Sequence, residues 1–471
     1  MKILIFSMGP IFKEVVQGGS QKILGQVATR LGLNNAVTVI CPKREDNKYE
    51  FKLSKGVTVK PILEFKSYPE PYYIAPFELA NNVDYIHREI EKHDVIYIHD
   101  SEMNFFFLHE VKKPIVCSLR DYVYPDTLVG AFNFRRDRII VNSQFTKDSS
   151  RYTIGRYMPE INNRIILIPN GFDLGFFKKT KPNKILNFLP KITSKNITIY
   201  PNRPDERKGI FIVLDAISKL KHTHKITDIV LLIPEHVDMN VEDGKKSRYG
   251  AEYYRKVKEV AKELDIEDNI IFHKWIPLEL MPEYYSLAKL TFSVGSFIEA
   301  FGSNSSVESV CCGTPAIVSK VGAQRYTFPK NLVPKVDYND IEQIVTLAVK
   351  ILSFGYDLTP AQQYIKQHYG YNDMLEGYEE IITTTKISKK IKPSFTDLDF
   401  QKAVFKLPPW CSIGAKGLYN DYKYDYQNIE PNILKLLKQK GEFSILDAEN
   451  VGLDKSDIVL EIRKGNLVYD Q

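Results

Sequence analysis

The sequence predicts an α/β protein made of two doubly wound domains facing a cleft, followed by a small C-terminal module. Three observations carry this. Short β-branched apolar runs alternate with helical patterns, which indicates parallel sheets covered by helices. The alternation occurs twice, separated by a Lys/Pro-rich stretch from Lys178 to Lys191 that reads as a linker. After about Lys390 the pattern gives way to an aromatic-rich segment without clear periodicity. A length of 471 residues fits about three domains.

Taken in order, "KILIFS" (Lys2 to Ser7) is the first strand, and Ile23, Leu24, Val27 and Leu31 recur at helical spacing behind "GGS". Buried strands follow at "AVTVIC", "DVIYIH" (Asp94 to His99), "PIVCSL" (Pro114 to Leu119) and "RIIVNS" (Arg138 to Ser143). A turn at "IPNGFD" closes this part. The second unit has strands at "NITIY", "DIVLLIP", "NIIFHKW", "KLTFSVG" and "PAIVSKVG", with helical patterns near 209–220, 250–264, 278–288 and 304–312. This order predicts two Rossmann-like units. Three helix-like segments and a final strand at the end of the chain resemble a winged helix.

Composition narrows the class. At 44% hydrophobic and 26% charged residues the chain has the balance of an ordinary soluble globular protein. A net charge of +6 is too small for dedicated nucleic-acid binding, though it allows peripheral attraction to an anionic membrane or acceptor. Cys41, Cys117, Cys311, Cys312 and Cys411 are scattered without a metal-ligand pattern, which argues against a disulfide framework and a zinc site. A reducing cytoplasm is the expected compartment. "MKILIFSMGP" is too short for a signal peptide, and no apolar run approaches the roughly 18 residues of a membrane span.

Candidate site residues sit in loops beyond strand ends, where open α/β sheets bind ligands. Gly18 and Gly19 precede the first helix, a place that allows close backbone approach and favours an anion, although a plain turn would need the same glycines. In "YPNRPDERKG" (Tyr200 to Gly209), Arg203 and Lys208 flank a polar loop and together suit a diphosphate. Read alone, such a pair is more often a solvated charged loop. "SFIEAFGS" continues beyond a strand end and "NSSVESVCC" follows as a short helix, with Ser303 or Asn304 as N-cap and Gly313 and Pro315 as the stop. Glu299 lies on that loop and Glu308 inside the helix. A carboxylate accepts two hydrogen bonds from a vicinal diol.

In this order "RIILIPNGFDLGFF", "NRPDERKG", "EAFGSNSSVESVCCGTPAIVS" and "KVGA" resemble family 4 retaining glycosyltransferases of the GT-B fold. The likeness runs from the first strand to about Thr385. It implies an acceptor domain at 1–177 completed by a crossover helix at about 371–386, a donor domain at 178–370, and an accessory module at 390–471. It also implies a nucleoside-diphosphate sugar as substrate, such as a UDP- or GDP-sugar, with no metal or other cofactor. Arg203, Lys208 and Glu299 would be catalytic, the first two on the diphosphate and Glu299 on the sugar hydroxyls. Glu308 would hold the ribose. Phe301, Gly302, Ser303 and Asn304 would line the donor cradle, and Gly18 and Gly19 would lie near the phosphates.

The chain departs from the family pattern in several places. Eight residues separate Glu299 from Glu308 where the pattern has seven, and the extra one is expected between Gly302 and Ser306, ahead of the helix. "IPEH" (Ile233 to His236) replaces a glycine-rich turn, and Asn202 stands where a glycine often precedes the arginine. "CSLRDY" puts Arg120 where many relatives carry a histidine, so Arg120 is a candidate contact for an anionic acceptor. His99 is a second candidate at a strand end, where a histidine is more often a satisfied structural one. The acceptor is a glycan, lipid, protein or peptide, or metabolite. Competing readings are a sugar-nucleotide epimerase or phosphorylase, and an inactive scaffold whose C-terminal module binds a peptide, protein partner or nucleic acid, the last being the least expected.

Overall fold

The computed structural model describes residues 1–7, 9–13, 18–44, 47–64, 74–99, 110–120, 125–134, 137–203, 205–235, 248–329 and 331–470. The first unit runs β1 (Lys2–Phe6), α1 (Gly19–Leu31), β2 (Ala36–Pro42), β3 (Phe51–Ser54), β4 (Val57–Leu63), α2 (Pro76–Glu91), β5 (Val95–His99), β6 (Ile115–Leu119), α3 (Pro125–Asn133), β7 (Arg138–Val141), α4 (Gln144–Tyr152), α5 (Ile154–Tyr157) and β8 (Ile165–Leu167). Its sheet has the order β3-β4-β2-β1-β5-β6-β7-β8, parallel except for the β3–β4 pair. Successive residues of β1 face opposite layers, as a strand buried on both sides requires. Ile3 and Ile5 pack with α1, while Leu4 and Phe6 pack with Ile86 and Ile90 of α2.

The second unit runs α6 (Lys184–Phe188), β9 (Asn196–Ile199), α7 (Ile210–His222), β10 (Ile229–Glu235), α8 (Arg248–Glu263), β11 (Ile270–Lys274), α9 (Met281–Leu287), β12 (Leu290–Ser293), α10 (Asn304–Cys311), β13 (Ala316–Ser319), α11 (Gln324–Thr327), β14 (Lys335–Val336), α12 (Ile341–Phe354) and α13 (Thr359–His368). Its sheet, β11-β10-β9-β12-β13-β14, is wholly parallel. The strand order reverses at β9, so a crevice opens between the loops that follow β9 and β12. Helix α14 (Tyr371–Thr384) crosses back onto the first unit, where Met374 and Tyr378 join the α1 layer.

Two expectations change. The Lys178–Lys191 stretch contains α6, whose Ile185 is fully buried and whose first turn donates backbone hydrogen bonds from Asn183 and Ile185 to Glu283. The aromatic-rich segment holds four short strands, β15 (Val404–Lys406), β16 (Cys411–Gly414), β17 (Gly417–Asn420) and β18 (Asp425–Gln427). Beyond them come α15 (Pro431–Lys440), β19 (Glu442–Phe443), α16 (Ile445–Glu449), α17 (Lys455–Lys464) and β20 (Val468–Asp470). The three helices and last strand fall in the expected order, and β15 pairs antiparallel with both β19 and β20. No single helix among the described residues is long and apolar enough to cross a membrane.

Candidate active site

The loops after β9 and β12 are stitched together by two glycines. An added Cβ on Gly295 would lie 2.2 Å from the Arg207 carbonyl oxygen, and one on Gly209 would lie 2.8 Å from Gly295 Cα. Gly209 also has φ +88, which favours glycine. With both side chains missing, Ser296 N and Phe297 N donate to Arg207 O at 2.7 and 3.0 Å. That contact brings Lys208 onto Glu299, as an ion pair, and over the Phe297 ring, with Nζ 3.8 Å from its centroid. Arg207 and Arg203 crowd the same ring at 4.8 and 5.5 Å. A ring face attracts cations without neutralising them, so with Glu299 and Asp205 beside them the three cations keep a surplus of one positive charge for an anion. Arg203 is half-exposed, 3.9 Å from Asp205. Burial pushes the Asp205 carboxyl up, but hydrogen bonds and charge from Arg207 and Arg203 outweigh this and hold it below its usual range.

The loop then turns at Gly302, whose φ of +102 and approach to Thr327 Oγ1 leave no room for a side chain. Ser303 is the N-cap of α10 and accepts from Ser306 N. The helix is regular from Asn304, so Gly302 and Ser303 lie in the turn ahead of it. The Phe301 ring is buried against Phe172 and Tyr369, which leaves its backbone as the part that borders the site. Across the cleft, Gly18 is the N-cap of α1, and a Cβ on Gly19 would lie 3.1 Å from Asn304 Nδ2. Two helix N-termini therefore meet, and each favours negative charge between them.

Glu308 accepts from Tyr285 Oη at 3.0 Å and pairs with Lys22 Nζ, from α1, at 3.3 Å. A carboxylate has about four acceptor positions, so hydroxyls can still join these two partners. Phe297, Lys22, Tyr285 and the Gly209–Gly295 contact were missed by motif reading. The aromatic two residues before Glu299 was the one local signal available.

Arg120 and His99 are buried behind the two helix N-termini. The Arg120 guanidinium donates to Tyr378 Oη at 3.0 Å and Asn170 Oδ1 at 2.9 Å, and Asn170 Nδ2 donates to Asn304 Oδ1. It is 9% exposed, and these bonds tie β6 to α14 and to the α10 N-terminus. His99 is buried with Nδ1 2.8 Å from Tyr97 Oη and Nε2 3.0 Å from Ser20 Oγ. Burial, with the Arg120 charge nearby, depresses its pKa well below the usual value. His236, Asp121, Tyr122 and Pro204 lie outside the described residues.

The His99 shift has a sign that can be checked. The folded state keeps the ring neutral, whereas the unfolded chain takes up a proton below about pH 6.5. Stability is expected to fall as the pH drops through 6.5, by up to about 1.4 kcal/mol per unit for this one group. Buried His273 is shifted the same way, by burial first, and adds to the slope. Urea unfolding at pH 7.5 and 5.5 should show a shallower loss in His99→Gln. An identical slope would exclude His99 as a contributor.

A switch-point crevice in a parallel sheet, lined by cations and opposed by a second Rossmann-like unit, defines the GT-B architecture. Residues 17–176 match the model of the Glycosyltransferase Family 4 domain, and residues 183–352 match that of Glycosyl transferases group 1. The chain belongs to the family 4 glycosyltransferases of the GT-B fold. A lipopolysaccharide 1,2-N-acetylglucosaminetransferase from Salmonella typhimurium is 24% identical over 335 residues, 68% of this chain and 81% of that protein. Among solved structures, sucrose-phosphate synthase from Thermosynechococcus elongatus superposes with a TM-score of 0.63 at 18% identity, covering 81% of this chain and 98% of that one. Anabaena HepE, solved with UDP and glucose, gives 0.64 at 16% identity, covering 82% and 100%.

Proposed function

We propose that the protein is a retaining glycosyltransferase that moves a sugar from a nucleoside-diphosphate sugar to an acceptor held by the first unit, without a metal ion. The observation that carries this reading is the cation cluster Arg203–Lys208 beside Glu299, on the loop that leads into α10, whose first residue lies against Gly19 at the start of α1. The diphosphate would lie against these cations and amide groups, with the sugar at Glu299 and the ribose at Glu308. The relatives support a UDP-sugar, since one is an N-acetylglucosaminetransferase and another was solved with UDP and glucose.

As the bond from the anomeric carbon to the phosphate oxygen breaks, negative charge grows on the diphosphate and Lys208 and Arg203 offset it. The acceptor oxygen forms its bond from the same face, and its proton passes to the departing phosphate oxygen. Retention follows from that front-face geometry. The acceptor is a glycan, lipid, peptide or metabolite, and peripheral contact with an anionic membrane is compatible with the net charge.

A thermal-shift panel of UDP-glucose, UDP-N-acetylglucosamine and GDP-mannose tests the donor assignment. A ligand at about 100 times its Kd stabilises by about 2.7 kcal/mol, so at least one should raise Tm clearly. Its hydrolysis or transfer should persist in EDTA with retained anomeric configuration. No shift and no turnover with any nucleotide-sugar would overturn the reading.

A further inference from the structure

Beside Lys208 and Glu299 lies a small pocket of about 10 Å³, room for one hydroxyl-sized group, also lined by Asn202, Ser293, Gly295, Phe297 and Gln324. Gln324 comes from α11, after β13, and belongs to none of the site motifs. Its side chain is only 5% exposed, and its Oε1 has no hydrogen-bond partner among the described residues. Asn202 Nδ2 is likewise buried without a partner. A buried polar atom without a partner is costly, and a ligand group that pairs with it recovers that cost. An amide oxygen accepts from a hydroxyl and repels a phosphate oxygen, so the chemistry it selects is that of the sugar.

The C-terminal module holds this residue in place. Asp421, on the turn after β17, is fully buried and accepts from both terminal nitrogens of Arg325, with Nη1 at 3.0 Å, and from Gly322 N at 3.1 Å. Arg325 also donates to Pro409 O and Lys320 O, each at 3.0 Å. The residues flanking Gln324 are thus fastened to the module. The same segment backs Glu299: Ala323 N donates to Glu299 O at 3.4 Å, and a Cβ on Gly322 would touch Ile298 at 3.1 Å. Ile298 and Ala323 form a small apolar core with Phe145 of α4 and with Trp410 and Tyr422 of the module.

We propose that Gln324 reads a hydroxyl of the transferred sugar and that the C-terminal module, through Asp421, positions it. The first half rests on the nucleotide-sugar reading above. Gln324→Met keeps the length and removes the amide. In the full-length protein, titration with UDP-glucose, UDP-N-acetylglucosamine, GDP-mannose and their free diphosphates should leave nucleotide affinity within about twofold. The advantage of the sugar-bearing donor, and kcat/KM, should fall about tenfold. Asp421→Asn should show the same selective loss, with the double variant no worse than Gln324→Met alone, as residues acting through one contact require.

Hydrogen exchange in the ligand-free protein gives an activity-independent readout. Asp421→Asn should speed exchange at 298–302 and 322–327. Asp454→Ala, which removes the α17 N-cap at the far end of the module, should leave it unchanged. Should Asp421→Asn not fold, Arg325→Lys, which keeps the charge and loses the fork, takes its place. Unchanged sugar preference and kcat/KM in Gln324→Met overturn the reader, and unchanged exchange in Asp421→Asn overturns the brace. A wild-type protein that uses no nucleotide-sugar removes the functional reading and the Gln324 role together, while exchange still decides the brace.

Discussion

Replacing Lys208 with methionine is expected to lower kcat for sugar transfer roughly a hundred- to a thousandfold, the usual effect of losing one preorganised charge-stabilising donor. Lys208 is 12% exposed, paired with Glu299 and seated over Phe297. Methionine keeps the apolar stem against the ring, so the loss isolates the charge from the packing. It also leaves Glu299 without its counterion, which should weaken the grip on the sugar and raise the donor KM. Arg203→Ala should cost less, at least about tenfold, because a side chain 45% exposed works through partly screened charge. Steady-state kinetics on both variants, with an unchanged Tm as the folding check, test the order as well as the size. Near-normal turnover in both would remove the diphosphate assignment.

What the residue pattern revealed, and what it hid, follows from how local each signal is. Arg203, Lys208, Glu299 and Glu308 were found because each sits in or just beyond a loop that follows an apolar β run. Their partners were hidden because they come from distant chain. Lys208 meets Glu299 across 91 positions, and Lys22 meets Glu308 across 286. Arg120 has an equally remote partner, since Tyr378 of α14, 258 residues later, accepts from its guanidinium. Secondary structure failed where elements were short or disguised. Strands β15 to β18 span three or four residues each, too few for a period-two pattern to emerge from an aromatic background. Strand β4 does alternate between buried and half-buried residues, but Lys60 and Pro61 interrupt its apolar run.

The Gly209–Gly295 contact predicts the second large effect, and one of opposite sign elsewhere. Gly295→Ala places a methyl 2.2 Å from Arg207 O and 2.4 Å from Lys208 C, both backbone atoms that cannot rotate away. The loops must part, and the hydrogen bonds from Ser296 and Phe297 to Arg207 O stretch or break with them. Forced overpacking of this kind destabilises by roughly 1–3 kcal/mol. Activity should suffer more than stability does, because the separation carries Lys208 away from Glu299 and Phe297. A loss in kcat approaching that of Lys208→Met is the expected result, in a protein that still folds. Gly25, inside α1, has nothing within 4 Å of a would-be Cβ. Gly25→Ala should therefore stabilise by about 0.4–1 kcal/mol, through helix propensity and a less flexible unfolded chain. Thermal unfolding and kcat measured on the pair separate the two explanations. If Gly295→Ala proves as benign as Gly25→Ala, close packing of the two loops is not what presents Lys208 to the donor.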